Sequence, residues 1–171
     1  MPQIDVFNLT APVFIGMLDR MSAWLDLAEI HGQEQGVDID GLLQARLAPD
    51  MFTLLGQYQL ATAFAKNAMC RLAGQTPPDF PDIEKTATDV RARINRARTI
   101  VQSITPAMLE GAATREISIQ TGAYERTTFS GEDYLLKYAM PQFYFHASMA
   151  YAILRHHGVQ LGKRDFLTVG R

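Results

Sequence analysis

The sequence lacks the features that mark secreted or nucleic-acid-binding proteins. It has a single cysteine, Cys70, in 171 residues, so no internal disulfide can form, and Asp5 stands near the start instead of the basic cluster of a secretory signal. Its 16 Lys and Arg residues against 18 Asp and Glu residues give a net charge of −2, which argues against a general affinity for phosphate backbones. These absences predict a cytoplasmic protein with no nucleic-acid partner.

Motifs of hydrolases and zinc proteins are also absent. The sequence contains no HExxH, CxxC or DxDxDG pattern, and no spacing that indicates a serine or cysteine triad. The longest uncharged stretch, between Lys137 and Arg155, is shorter than the ~20 mostly apolar residues of a spanning helix and includes Pro141 and Gln142. We therefore expect no membrane partner.

The hydropathy pattern predicts one globular domain, residues 1–171, built mainly from helices. The chain is 47% hydrophobic and 20% charged, which is typical of such a domain. Apolar residues recur at helical spacing in four long segments, with Thr10, Pro49, Thr86 and Ser130 as the predicted starts. The predicted helices cover residues 10–36, 49–72, 86–104 and 130–158.

The segments between and within these helices carry further signals. Ile117 and Ile119 alternate with polar residues, and Gly122-Ala123 suits a type II′ turn, so a β-hairpin is predicted between the third and fourth helices. Four arginines, at positions 91, 93, 96 and 98, spread around the third helix and are interpreted as a solvated face. Pro141 predicts a kink near residues 137–141, because proline lacks an amide donor.

The last helix carries two polar residues on its apolar stripe. Gln142 and His146 lie one turn apart there, and buried polar groups cost free energy unless they are hydrogen-bonded. On the second helix, Asp50 and Gln57 lie at the edge of a stripe of small residues that leaves room for a pocket. We predict a ligand pocket formed by His146, Gln142, Gln57 and Asp50. The alternatives are a core histidine with satisfied bonds, and an Asp50 that complements its helix dipole.

Several separated segments resemble a known family, in the same order as in that family. They are NLTAPVFIGML, ARLAPDMF, SGEDYLLKYAMPQFYFH, AYAILRHHGV and GKRDF. The chain is similar over nearly its whole length to the bacterial domain-of-unknown-function family 1993, within the DinB/YfiT-like superfamily. This resemblance implies an all-α four-helix bundle with a small β-hairpin between helices 3 and 4, and a homodimer.

The resemblance also implies where a metal would bind in related proteins. Metal-bearing members have one histidine on the second helix and an HxxxH pair on the last, commonly followed by Leu-Arg-x-x-Gly, which here matches residues 154–158. Counting back aligns His146 with the second histidine of the pair and Gln142 with the first, while Gln57 aligns near the second-helix histidine. Because a neutral amide is a poor ligand for transition metals, we expect a degenerate site at His146, Gln142 and Gln57 that holds no metal cofactor.

Two classes of function follow from these observations. The first is a metal-free small-ligand-binding or structural bundle, in which Gln57, Gln142 and His146 hold a ligand or form a polar network. The second is a thiol-dependent small-molecule transferase or isomerase, with or without a divalent metal, as in relatives within the superfamily. The glutamines favour the first class, so no catalytic residue is assigned.

Overall fold

The computed structural model describes residues 5–167, so residues 1–4 and 168–171 of the predicted domain lie outside the described part. It confirms the all-α four-helix bundle with a small β-hairpin before the last helix. The helices are α1 (Val6–Gln35), α2 (Ile39–Leu42), α3 (Leu54–Leu72), α4 (Ala87–Ser103), α5 (Gly131–Asp133), α6 (Met140–His156) and α7 (Lys163–Phe166), and the strands are β1 (Glu116–Gln120) and β2 (Arg126–Ser130).

Four long helices surround the core. α3 packs against α4 and α6, and α1 packs against the same two helices from the opposite side. A π-helical segment, Tyr134–Ala139, joins α5 to α6, so the three form one long helix, which we call the last helix. No helix within residues 5–167 is long and apolar enough to cross a membrane.

The first helix begins earlier than the sequence predicted. Asp5 is its N-cap, with a side-chain oxygen that accepts from the Asn8 amide at 2.8 Å. Thr10 lies inside the helix, where its hydroxyl donates to the Val6 carbonyl at 2.6 Å, and Pro12 also lies inside the helix. The predicted start at Thr10 is wrong because the carboxylate of Asp5 supplies an N-cap one turn before it.

The start predicted for the second long helix is also wrong. α3 begins at Leu54, where the Thr53 hydroxyl accepts from the Gly56 amide at 3.2 Å. Pro49 and Asp50 precede that cap in an exposed loop. Asp50 is therefore not in the first turn of α3, and the dipole role considered for it does not apply.

The four arginines of α4 do not share one solvated face. Arg93 is only 3% exposed and bonds Glu84, while Arg91 pairs with Asp26 and Glu29 of α1. The wheel position alone gave no sign of these partners, because the carboxylates come from other segments. The solvated-face interpretation is wrong for Arg93 and Arg91, whereas Arg96 is exposed and Arg98 is partly exposed in a pair with Asp19.

The β-hairpin is confirmed, but its turn differs from the prediction. Ile117 pairs with Phe129 in the antiparallel register, and both Ile117 and Ile119 are buried, as their alternation indicated. The last pair is Gln120 with Arg126, so residues 121–125 form the loop. Gly122 has no positive φ, which a type II′ turn requires at that position, so the predicted two-residue turn is wrong.

The last helix is irregular next to Pro141. The π-helical segment ends two residues before the proline, and the amide of Met140 donates to the Leu135 carbonyl. The sequence predicted a kink here, because a proline inside an α-helix clashes with the carbonyl four residues earlier. The wider π turn accommodates the proline at the start of α6.

Candidate functional site

A buried contact between α3 and α6 joins two of the predicted site residues. The Nδ1 atom of His146 lies 2.8 Å from Oε1 of Gln57. His146 is 5% exposed and Gln57 is 1% exposed, so this is an interior bond between helices. The small alanines of the α3 stripe, among them Ala61 and Ala65, are fully buried beside it and let the two helices approach.

The hydrogen bonds of Gln57 determine which nitrogen of the His146 imidazole carries the proton. The Nε2 amide of Gln57 donates to the Phe52 carbonyl at 3.3 Å, a carbonyl that can only accept, so the amide oxygen of Gln57 faces His146. Since that oxygen is also an acceptor, Nδ1 of His146 must carry the proton. Nε2 of the neutral ring is then a hydrogen-bond acceptor.

The Nε2 atom of His146 has no partner within residues 5–167. Every hydrogen bond of the imidazole there is made by Nδ1. Nε2 is also not fully enclosed, because no atom of His146 is both unbonded and completely shielded from solvent among the described residues. This acceptor therefore keeps some contact with solvent and is free to bond a ligand.

Aromatic rings surround the imidazole. Phe64 stacks on it with ring centroids 5.6 Å apart and an interplanar angle of 9°. Phe145 and Phe52 meet it edge to face at 5.2 and 6.2 Å, and they are 51% and 60% exposed. The imidazole of His146 thus lies among three apolar rings, two of which reach the surface.

Burial in this setting lowers the pKa of His146 from 6.5 to about 4, because it removes water from the charged form of the ring. No charged neighbour contributes to the shift. The imidazole is therefore neutral at physiological pH, which agrees with the tautomer that the Gln57 bond requires.

The other two predicted site residues are placed differently. Gln142 is half-buried one turn before His146, and its side chain makes no hydrogen bond within residues 5–167. Asp50 is exposed in the loop before α3. The structure thus joins Gln57 to His146 directly and leaves Asp50 outside that contact.

The donor set does not fit the metal that the superfamily resemblance implies. One imidazole and two carboxamides replace three imidazoles, and the oxygen of Gln57 already accepts a hydrogen bond from His146. No group of three or more His, Cys, Asp or Glu side chains within residues 5–167 could hold a metal ion. Gln57 instead orients the ring, as an outer-shell partner does in metalloproteins.

Sequence reasoning missed the three phenylalanines. Phe64 follows Gln57 by seven residues and so lies on the same face of α3, a spacing that could have identified it. Phe145 precedes His146 directly, which places it on a neighbouring face of α6. Phe52 lies in the loop before the Thr53 cap, and no periodic signal points to it.

Comparisons with known proteins place the chain in a family. The model of the domain of unknown function DUF1993 matches residues 6–167. The chain belongs to the DUF1993 family. This DUF1993 chain is also 37% identical to a DinB family member protein from Shewanella denitrificans, over 96% of this chain and 93% of that one, with a TM-score of 0.90. No curated protein matches the chain.

Proposed function

We propose that this DUF1993 protein binds a small neutral organic molecule, without a metal, where Gln57 meets His146. The observation that supports the proposal is the single bond of the imidazole. Gln57 accepts a hydrogen bond from the Nδ1–H group of His146, which leaves Nε2 as the acceptor of an imidazole surrounded by aromatic rings. A flat apolar molecule with one N–H or O–H donor satisfies that acceptor and covers the exposed rings of Phe52 and Phe145.

The low pKa of His146 indicates a neutral ligand. Because burial holds that pKa at about 4, the ring carries no positive charge at pH 7 and offers no charge attraction to an anion. Aromatic rings supply apolar contact and edge-to-face packing. Ligand selection at this site therefore rests on shape and on one hydrogen bond.

The same low pKa disfavours the alternative of a thiol-dependent transferase or isomerase. Such an enzyme needs a base that removes a proton from a thiol of pKa ~8.5. A base whose conjugate acid has a pKa of about 4 is poorly matched to that task. The purely structural reading, in which Gln57, Gln142 and His146 only stabilise the bundle, differs from the proposal in predicting no ligand response.

Matched pairs of aromatic probes test the proposal. Indole and phenol carry one donor, whereas N-methylindole and anisole have nearly the same shape without it. We expect calorimetry at pH 7 to show indole and phenol binding about tenfold tighter than their methylated partners, which corresponds to one hydrogen bond of about 1.4 kcal/mol. Equal binding within each pair would contradict the role of Nε2.

A double variant provides the control for the site. Gln57→Leu/His146→Leu removes both polar partners together, so neither is left unpaired in the core. We expect it to fold and to lose the preference for the donor-bearing probe, while the surface variant Lys137→Ala keeps it. If neither the wild type nor any variant binds the aromatic probes, the result supports a purely structural role for these residues. If glutathione stabilises the protein and this stabilisation requires His146, the result supports the transferase.

Metal content is tested on the same samples. We propose that the purified protein holds no stoichiometric Zn²⁺, Ni²⁺ or Fe²⁺ at Gln57, Gln142 and His146, since two of the three expected imidazoles are amides. Elemental analysis measures this directly. One equivalent of metal that disappears in His146→Ala would contradict the proposal.

The assembly is a separate proposal. We expect a homodimer, because closed two-fold pairs are the commonest assembly of soluble proteins and the superfamily resemblance implies one. Light scattering at micromolar concentration tests it, and a monomer throughout that range would contradict it. The cytoplasmic location stays a prediction from the sequence.

A further inference from the structure

A second concave region lies away from the Gln57–His146 contact. It is a groove between the start of α1, residues 106–114 and the start of the last helix, with a volume of about 720 Å³. Small-molecule sites commonly have volumes of ~300–1,000 Å³. Neither Gln57 nor His146 lines this groove, so its ligand is independent of the function proposed above.

The groove is mostly apolar. Leu109, Ala112 and Leu135 form buried parts of its wall, each at most 5% exposed. Leu9 and Leu136 also line it, and they are 39% and 54% exposed. A ligand that covers these two leucines removes apolar surface from water, which is favourable in proportion to the area covered.

Two walls of the groove approach each other closely at one backbone position. Gly131, at the start of the last helix, lies so near the Ala112 carbonyl oxygen that a Cβ atom would collide with it. Two turns of 3-10 helix, Pro106–Leu109 and Ala112–Thr114, shape the facing wall. The groove is thus preformed, so a ligand does not need to order it.

The charges in the groove have one sign. Asp5, Glu110 and Glu132 line it, and within residues 5–167 none of its lining residues is Lys, Arg or His. Asp5 is engaged as the N-cap of α1, but the carboxylates of Glu110 and Glu132 make no ion pair or hydrogen bond within residues 5–167. Arg115 bonds the backbone carbonyl of Glu110 and is not a lining residue.

We infer that this groove binds a small amphipathic amine. Its ammonium group is held by Glu110 and Glu132, and its alkyl or aryl body lies on Leu9, Leu109, Leu135 and Leu136. The unpaired carboxylates favour a cation over an anion of the same shape, because like charges in one concave site repel. The apolar wall selects an amine with a hydrophobic body over a small inorganic cation.

Three eight-carbon probes test the inference on the full-length protein. Octylammonium, 1-octanol and octanoate share one apolar body and carry positive, zero and negative charge at pH 7. We expect calorimetry below the micellar range to give affinity in that order, with octylammonium binding at least about tenfold tighter than octanoate. Amide chemical-shift changes should fall on residues 107–114 and 132–136. Equal affinities, or shifts centred on His146, would overturn the inference.

Variants separate the charge from the apolar surface. Glu110→Gln/Glu132→Gln should bring the three affinities to within about threefold of one another, without loss of 1-octanol binding. Leu9→Ala/Leu136→Ala should weaken all three probes by a similar factor, and both leucines are exposed enough that the fold survives. The Gln57→Leu/His146→Leu variant should bind as the wild type does.

A second copy of the chain is the competing occupant. If the groove is an interface between copies, Leu9→Ala/Leu136→Ala changes the mass seen by light scattering, and saturating octylammonium dissociates the assembly. Either result would overturn the inference. Unchanged mass together with the predicted order of probe affinities supports it, whatever the aromatic probes show at His146.

Discussion

α3 contributes to two buried polar clusters, one facing α4 and one facing α6. The clusters differ in how many of their hydrogen-bonding groups have a partner. Towards α4, all three guanidinium nitrogens of Arg93 have partners, which include Thr62 at 2.9 Å and Glu84 at 3.0 Å. Towards α6, His146 uses Nδ1 alone and leaves Nε2 without a partner among residues 5–167. A buried group with no bonding capacity left can only stabilise the fold, whereas one with a spare acceptor can also bind a ligand.

The connector before α4 completes the satisfied cluster. Pro81 and Glu84 both accept from Arg93, and Phe80 packs under Lys66 with the ammonium 4.2 Å from the ring centroid. Burial acts to raise the pKa of Glu84, but the hydrogen bonds from Gln59 and Arg93 outweigh it and hold that pKa below its ordinary value. The proline-rich connector is thus fixed to the bundle by buried charges, whereas the Gln57–His146 contact between α3 and α6 joins two neutral groups.

The largest expected effect comes from breaking the satisfied cluster. Arg93→Met leaves the carboxylate of Glu84, whose side chain is 6% exposed, without its cation. We expect a loss of about 3–5 kcal/mol in the free energy of unfolding, measured with urea, because an unpaired buried charge is costly. The exposed pair Lys137–Asp133 is the control, and Lys137→Ala should cost no more than about 0.5 kcal/mol. A small loss for Arg93→Met would show that water reaches Glu84.

The next largest effect is expected when the two missing metal-ligating histidines are introduced beside His146. Gln57→His/Gln142→His supplies three imidazoles with His146 if the superfamily alignment is correct. We expect the variant to gain Zn²⁺ binding, with a stabilisation of ~2.7 kcal/mol at a metal concentration of 100 times Kd. Adding His146→Leu should abolish the gain. No stabilisation by metal would show that position 57 or 142 does not point at a common centre.

The sequence predicted the bundle and selected Gln57 and His146 as candidate site residues for the same reason. Apolar periodicity identifies a buried face, and a polar residue on that face is visible as an exception. Neither the Glu84 partner of Arg93 nor the place of Phe52 has such a signal, because both residues lie in non-helical connections. The early start of α3 was predicted from Pro49, but Thr53 is the residue whose hydroxyl caps the helix.

The third effect is the difference in stability between removing one side chain of the Gln57–His146 hydrogen bond and removing both. His146→Leu alone leaves the buried oxygen of Gln57 unpaired, so we expect a loss of about 1–3 kcal/mol. Gln57→Leu/His146→Leu should recover most of that loss, since no buried polar atom remains unpaired at the contact. Thermal and urea unfolding of the two variants and of Gln57→Leu give a complete double-mutant cycle. Additive losses would contradict the bond between the two side chains.

The smallest effect is a change in how stability depends on pH. Burial lowers the pKa of His146 from 6.5 to about 4 in the folded protein, so between these values the unfolded chain binds more protons than the folded one. The stability that the neutral ring contributes is complete above pH 6.5 and is lost as the pH falls towards 4. Between pH 7 and pH 5 we expect the advantage of the wild type over His146→Leu to shrink by about 1–2 kcal/mol.

A control at a distance completes this pH test. Leu9→Ala, on the wall of the other groove, keeps the imidazole and should keep the pH dependence of the wild type. Urea unfolding of the three proteins across that range measures the difference. If the wild type and His146→Leu lose stability in parallel, the ring is hydrated in the folded state. Its Nε2 would then be fully hydrated, instead of having only the limited solvent contact that the aromatic rings around the imidazole leave it in the proposed ligand site.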